Sequence, residues 1–118
     1  MQVRGIHHVS INVHELDPAM QFYVDGLGFR ELPRPNFGFP GAWLEMGAHQ
    51  LHLIETPGAA VDPRQHFALQ VDDLDACVAE IEAKGLPVRR SPDIVGAGRQ
   101  AFLRDPSGNR IELNEPGT

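Results

Sequence analysis

His8-Val9-Ser10-Ile11-Asn12-Val13, followed by Leu16-Asp17, is matched later in the chain by His66-Phe67-Ala68-Leu69-Gln70-Val71, followed by Leu74-Asp75. His66 lies 58 residues after His8, and the same offset links Val13 with Val71 and Asp17 with Asp75. Further along, Ala42-Trp43-Leu44 matches Ala101-Phe102-Leu103 at an offset of 59, and Leu51-His52-Leu53 matches Ile111-Glu112-Leu113 at 60. The drift is two residues over a whole half-chain. The repeat sets His8 opposite His66 and His52 opposite Glu112, so four side chains able to bind a metal occupy two pairs of equivalent positions.

Each half reads as strand, helix, then three strands. In Val3–Val13 the residues alternate, with His7, Val9, Ile11 and Val13 on one face and Ile6, His8, Ser10 and Asn12 on the other, a period of two that marks a half-buried strand. Asp17-Pro18 is a helix-start signal with Asp17 as cap. Ala19, Phe22, Tyr23 and Leu27 form an apolar stripe, and Gly26 and Gly28 stop the helix. Phe29–Leu32, Ala42–Met46 and Gln50–Ile54 follow as short strands. In the second half Gln65–Val71 is the strand. Asp73 or Asp72 caps a helix with Leu74, Val78 and Ile81 on one face, and Gly85 ends it. Leu86–Arg89, Gln100–Arg104 and Arg110–Asn114 complete the set. The reading is an α+β fold of two βαβββ modules, at about residues 1–55 and 65–115 of a single 118-residue domain. A Pro/Gly linker, Thr56–Arg64, joins them. The loops Pro33–Gly41 and Ser91–Gly98 are rich in Pro or Gly, as binding loops often are.

Strand parity carries the functional reading. His8 lies with Ser10 and Asn12, His52 with Gln50, His66 with Ala68 and Gln70, and Glu112 with Arg110 and Asn114. In every case the apolar residues face the other way, where they can pack under a helix. A sheet curled so that the polar faces converge gathers three imidazoles and a carboxylate. That donor set suits a divalent transition ion (zinc, nickel, cobalt, manganese or iron) and is too nitrogen-rich for a dedicated calcium site. Three ligands, without His52, also make a workable site. Glu112 is the best-placed base. Trp43, Phe39 and Phe102 are candidate pocket walls, Asn12 and Gln50 are candidate substrate contacts on the polar faces, and Arg99 or Arg34 could hold an anionic substrate. His7, His14 and His49 fall on the wrong face or in turns, and read as structural or exposed.

Composition bounds the partners. A net charge of −6 disfavours nucleic acid. No apolar run approaches a membrane span. The absence of an export leader and the single cysteine, Cys77, point to a reduced, cytoplasmic setting. With 42% hydrophobic residues the chain can bury a core around a small-molecule site.

With repeat and ligands in hand, the chain resembles the vicinal oxygen chelate superfamily, which includes glyoxalase I, methylmalonyl-CoA epimerase, extradiol dioxygenases, fosfomycin resistance thiol transferases and bleomycin resistance proteins. The matching pieces are Ile6 to Val13, Phe22-Tyr23 with Leu27-Gly28-Phe29, His66 to Val71, and Asp105-Pro106-Ser107-Gly108-Asn109-Arg110-Ile111-Glu112. The resemblance implies paired βαβββ modules forming a cup-shaped mixed sheet around one divalent metal, with ligands on the first and fourth strands of each module: His8, His52, His66 and Glu112. It also implies a homodimer, with His8 and His52 of one chain meeting His66 and Glu112 of the other. The implied activity is that of a metal-dependent, glyoxalase-like lyase or isomerase, chelating a small hydroxy- or oxo-compound and moving a proton with Glu112. Two departures bear on the member. His52 stands where glyoxalase I and the epimerase carry Glu or Gln, and Asn12 stands where bacterial glyoxalase I tends to carry an arginine for glutathione. Bleomycin-binding members lack the metal ligands, and the segment Ser91–Gly98 is short for the potassium loop of the fosfomycin enzymes. The alternatives are an iron-dependent extradiol-type dioxygenase and a non-catalytic protein that sequesters a drug or metabolite.

Overall fold

A computed structural model describes Met1–Gly117 and divides the chain into two units, Met1 to Val61 and the part that begins at Asp62. In the first, β1 (His8–Val13) leads into α1 (Leu16–Met20), which continues as a π-helical stretch, Gln21–Gly26. Then come β2 (Arg30–Leu32), β3 (Gly41–Met46) and β4 (His49–Glu55). The sheet order is β1-β4-β3-β2, with β1 parallel to β4 and the remaining pairs antiparallel. In the second unit β5 (His66–Gln70), α2 (Leu74–Ala83), β6 (Arg89–Arg90), β7 (Arg99–Arg104) and β8 (Arg110–Glu115) repeat the pattern in the order β5-β8-β7-β6. Each unit is a βαβββ module.

The core follows from strand alternation. Val13, Leu44, Leu51 and Leu53 are buried with Ala19, Phe22 and Tyr23 of the helical segment, while Ala101, Leu103, Ile111 and Leu113 are buried with Leu74, Val78 and Ile81 of α2. The apolar side of each sheet is covered by its own helix, which leaves the other side to polar chemistry.

Some boundaries differ from the sequence reading. The first strand begins at His8 rather than Val3, because its partner β4 supplies residues only from Gln50 onward in parallel register, and Val3 and Ile6 are exposed. Leu86–Arg89 shrinks to Arg89–Arg90, since Pro87 has no N–H for a ladder. Asp17 lies inside the first turn of α1 rather than capping it. The cap comes from another strand: Leu16 N–H donates to Glu55 Oε2 at 2.8 Å, and Leu74 N–H donates to Glu115 Oε1 at 3.0 Å in the repeat-equivalent place. The last residue of the fourth strand thus satisfies a helix-start amide in both modules. In α2 Asp73 is the cap, accepting from Ala76 N–H at 3.0 Å. Gly85 ends the segment at φ +84°, a conformation glycine adopts without strain. Among the described residues no helix is long and apolar enough to cross a membrane.

Candidate metal centre

His66 stands at the start of β5 and Glu112 in the middle of β8, on one face of the sheet because Ala68 pairs with Glu112 in the parallel register. Their side chains meet, with His66 Nε2 and Glu112 Oε1 3.0 Å apart. The other ring nitrogen, Nδ1, lies 2.8 Å from the carbonyl of Arg64. A carbonyl only accepts, so Nδ1 carries a proton, and Nε2 is the ring nitrogen that faces the carboxylate. At that separation a proton or a cation between the two atoms holds them together. Metal-binding histidines are commonly oriented in this way, by donating the distal N–H to a carbonyl. The other carboxylate oxygen, Oε2, accepts from Asn114 Nδ2 at 2.8 Å and Gln100 Nε2 at 3.3 Å. Glu112 is only 6% exposed, and every contact fixes its orientation.

The first unit brings His8 and His52 together differently. Ser10 of β1 pairs with His52 of β4, and Trp43 of β3 pairs with His52 from the other side. The rings stack in series: His8 on His52 at 3.9 Å and 14°, and Trp43 on His52 at 4.4 Å and 8°. His52, the ring common to both contacts, is 8% exposed. Burial, and then the neighbouring His8, His7 and Arg34, hold its imidazole below the usual histidine range, which favours the neutral form a metal requires. Its Nε2 is 2.8 Å from Gln50 Oε1, so ligation through that atom would require exchanging Gln50. His7 Nδ1 is 2.9 Å from His8 Nδ1, a contact that parity alone did not suggest, because His7 precedes the strand.

The metal-binding fit therefore differs between the pairs. His66 and Glu112 already face one another with the correct nitrogen presented, and the nitrogen and oxygen donors suit a divalent transition ion. His8 and His52 supply adjacent, stacked imidazoles, each with one ring nitrogen already in contact with a neighbour. Each unit holds two of the four candidate ligands, and among the described residues no group of three or more His, Cys, Asp or Glu side chains gathers.

Around these pairs the other predicted residues sort clearly. Trp43 and Phe39 line a cleft of about 270 Å³ with His8, His52, Arg34 and Phe37. Arg34 lies over the Phe37 and Phe39 rings at 4.9 and 5.0 Å. Phe37, which sequence reasoning passed over, stacks on Phe39 at 5.8 Å; the Phe37-Gly38-Phe39 spacing in a Pro-rich loop was the available signal. Phe102 is buried, with its ring edge-on to His66 at 5.9 Å. Asn12 accepts from the Thr56 hydroxyl at 3.0 Å, and Gln50 is the partner of His52. Arg99 is not brought to this face. It pairs with Glu115 in the β7–β8 register and is held by Asp75 at 2.8 Å and Glu115 at 3.5 Å on the helix side.

A family model described as the Glyoxalase/Bleomycin resistance protein/Dioxygenase superfamily matches residues 5–113. The chain belongs to that superfamily. A Haemophilus influenzae protein named lactoylglutathione lyase is 32% identical, over 93% of this chain and 91% of its own length. An Arabidopsis thaliana protein named "Probable lactoylglutathione lyase, chloroplastic" is also 32% identical, over 97% of this chain, but the chain spans only 36% of its length. Among solved structures, a glyoxalase family protein from Bacillus anthracis superposes with a TM-score of 0.90 at 26% identity, covering 99% of this chain and 98% of the other. The two βαβββ modules of this superfamily member are thus the vicinal oxygen chelate fold.

Proposed function

We propose that this superfamily member is a metal-dependent lyase or isomerase of glyoxalase type, acting on a small hydroxy- or oxo-compound. The observation that carries the reading is the His66–Glu112 pair, with Nε2 presented to a carboxylate oxygen at 3.0 Å and the opposite nitrogen tied to Arg64. His66, Glu112, His8 and His52 would hold the ion, with the two pairs supplied by two copies of the chain in a homodimer. When bound, a divalent ion polarises a carbonyl or hydroxyl oxygen and lowers the cost of removing the neighbouring proton. Glu112 accepts that proton at a carboxylate oxygen and returns it. Asn114 and Gln100 hold the other oxygen in place, so little reorganisation accompanies the transfer. Trp43, Phe37 and Phe39 exclude water from the apolar part of a ligand. Asn12 offers no positive charge, which favours a substrate other than a glutathione adduct, despite the names of the relatives.

The test is metal content by mass spectrometry of untagged protein, beside a His66→Ala/Glu112→Ala variant, together with deuterium uptake from D2O into a 2-hydroxyketone. Near-stoichiometric metal in the parent, little in the variant, and exchange lost with Glu112→Gln is the expected result. A parent that stays empty after incubation with each ion overturns the proposal. The open aromatic cleft on the first unit favours a second reading, ligand sequestration; it predicts stoichiometric binding that His66→Ala leaves unchanged.

A further inference from the structure

On the second unit the strand register places more than the metal pair on one face. His66 pairs with Arg110, Arg104 with Arg110, Phe102 with Glu112, and Arg89 with Phe102. Cross-strand partners point to the same side of a sheet, so these six residues share a surface. Arg110 lies over the Phe102 ring at 4.1 Å from its centroid, and Arg89 over the same ring at 5.5 Å. The two guanidiniums share one ring and are therefore within about 10 Å of each other, close enough for like charges to repel.

Among the described residues neither has a carboxylate partner. The chain carries 16 acidic residues against 10 basic ones, so this is not for want of acids. On the other side of the same sheet Asp75 takes both Arg90 and Arg99. The nearest acid along the strand, Glu112, is already occupied by His66, Asn114 and Gln100. Arg104 adds a third positive charge to the cleft, its guanidinium donating to the carbonyls of Gly108 and Pro63. The cleft encloses about 320 Å³ and is floored by Phe102, with Pro87 and Val88 on its wall, which is room for a small molecule. Repeat-equivalent positions in the first unit hold Gln50 and Glu45 in place of Arg110 and Arg104, so the charge belongs to this unit.

We infer that Arg89 and Arg110, braced on Phe102, form an anion subsite beside His66 and Glu112 that takes the carboxylate, phosphate or phosphonate group of a small, partly apolar ligand. Planar guanidiniums recognise such groups through paired N–H donors, and the ring beneath them holds the forks without neutralising their charge. That this anion belongs to the substrate rests on the metal-dependent reading above; the binding itself does not. The substrate class becomes an anionic hydroxy- or oxo-compound.

Calorimetric titration of the purified chain with phenylphosphonate, benzoate and neutral benzyl alcohol tests it. Both anions are expected to bind at least about 10-fold more tightly than the alcohol. The tighter of the two identifies phosphonate-like or carboxylate ligands. Arg110→Gln and Arg89→Gln should each weaken the anions by about 10-fold, Arg110→Lys by less, and Arg4→Gln not at all. The His66→Ala/Glu112→Ala variant should still bind, which separates this subsite from the metal: an empty metal site with anion binding intact sinks the enzyme reading alone. Equal binding of the alcohol, no effect of Arg89→Gln and Arg110→Gln in folded protein, an equal effect of Arg4→Gln, or loss of anion binding in the His66/Glu112 variant would each overturn the subsite.

Discussion

Glu112 is held by three side chains, and the shortest of these contacts, from Asn114 at 2.8 Å, acts on the oxygen that does not face His66. Asn114→Ala should leave the ligand atoms in place yet weaken divalent-metal affinity by about 10- to 100-fold, as outer-shell losses do at metal sites. Competition titration against a chromogenic chelator measures it, and unchanged affinity would mean that Gln100 orients the carboxylate alone. His66 and Glu112 were legible from repeat and parity, because both sit inside regular strands where alternation assigns a face. Arg99 was misjudged on the same criterion. It alternates with Gln100, so it shares the helix side with Ala101 and Leu103, and two acids claim it there. Arg89 and Arg110 were not singled out. Their significance lies in which acids fail to reach them, and that depends on contacts across four strands.

At the scale of elements, two devices hold the second module. The Asp105-Pro106-Ser107-Gly108 turn between β7 and β8 is organised by Asp105, a residue only 5% exposed. It accepts from Ser107 N–H, Asn109 N–H and Asn109 Nδ2, each at 2.9 Å. Asp105→Ala leaves those donors unmet and should cost about 3 kcal/mol in urea unfolding. A loss below about 1 kcal/mol would show that water replaces the carboxylate there. The second device is Asp75, in the first turn of α2, which ties the helix to Arg90 of β6 and Arg99 of β7. The side-chain hydrogen bonds from Arg99 and Arg90 hold its carboxyl below the ordinary value of 3.8. The folded state therefore binds this proton less readily than the unfolded chain. Its stabilising contribution is present above pH 3.8 and is lost as the pH falls through the depressed value. Thermal unfolding of the parent should thus exceed that of Asp75→Asn near neutrality, with the gap narrowing as the medium is acidified below that point. A gap independent of pH would show that the carboxylate's charge is not what ties α2 down.

For the whole molecule the informative quantity is whether the four proposed ligands, two on each module, serve one ion. If two copies of the chain complete each site, a variant lacking His8 and His52 and a variant lacking His66 and Glu112 should each be metal-poor alone. Refolded together, their mixed dimers restore one intact site apiece, about a quarter of the total for random pairing. Recovery of bound metal on mixing, with a dimeric mass by sedimentation, is the expected outcome. No recovery from a mixture that does form dimers would place all four ligands within one chain.

The amino-acid sequence by itself determined the two βαβββ modules, the face each strand turns to its helix, and the four residues proposed as ligands. These follow from local periodicity and from a repeat that writes the same pattern twice, and neither needs a long-range contact. Only the tertiary structure decided where β1 begins, which residue caps each helix, and which arginines have a carboxylate partner. Strand ends depend on how far the partner strand runs, as Gln50 limits β1 at His8. Glu55 and Glu115 cap helices 39 and 41 residues away in sequence. Whether an arginine's charge is compensated turns on which carboxylate the sheet brings within reach. Asp75 reaches Arg90 and Arg99 on the helix side, and the opposite face keeps Arg89 and Arg110 uncompensated over Phe102.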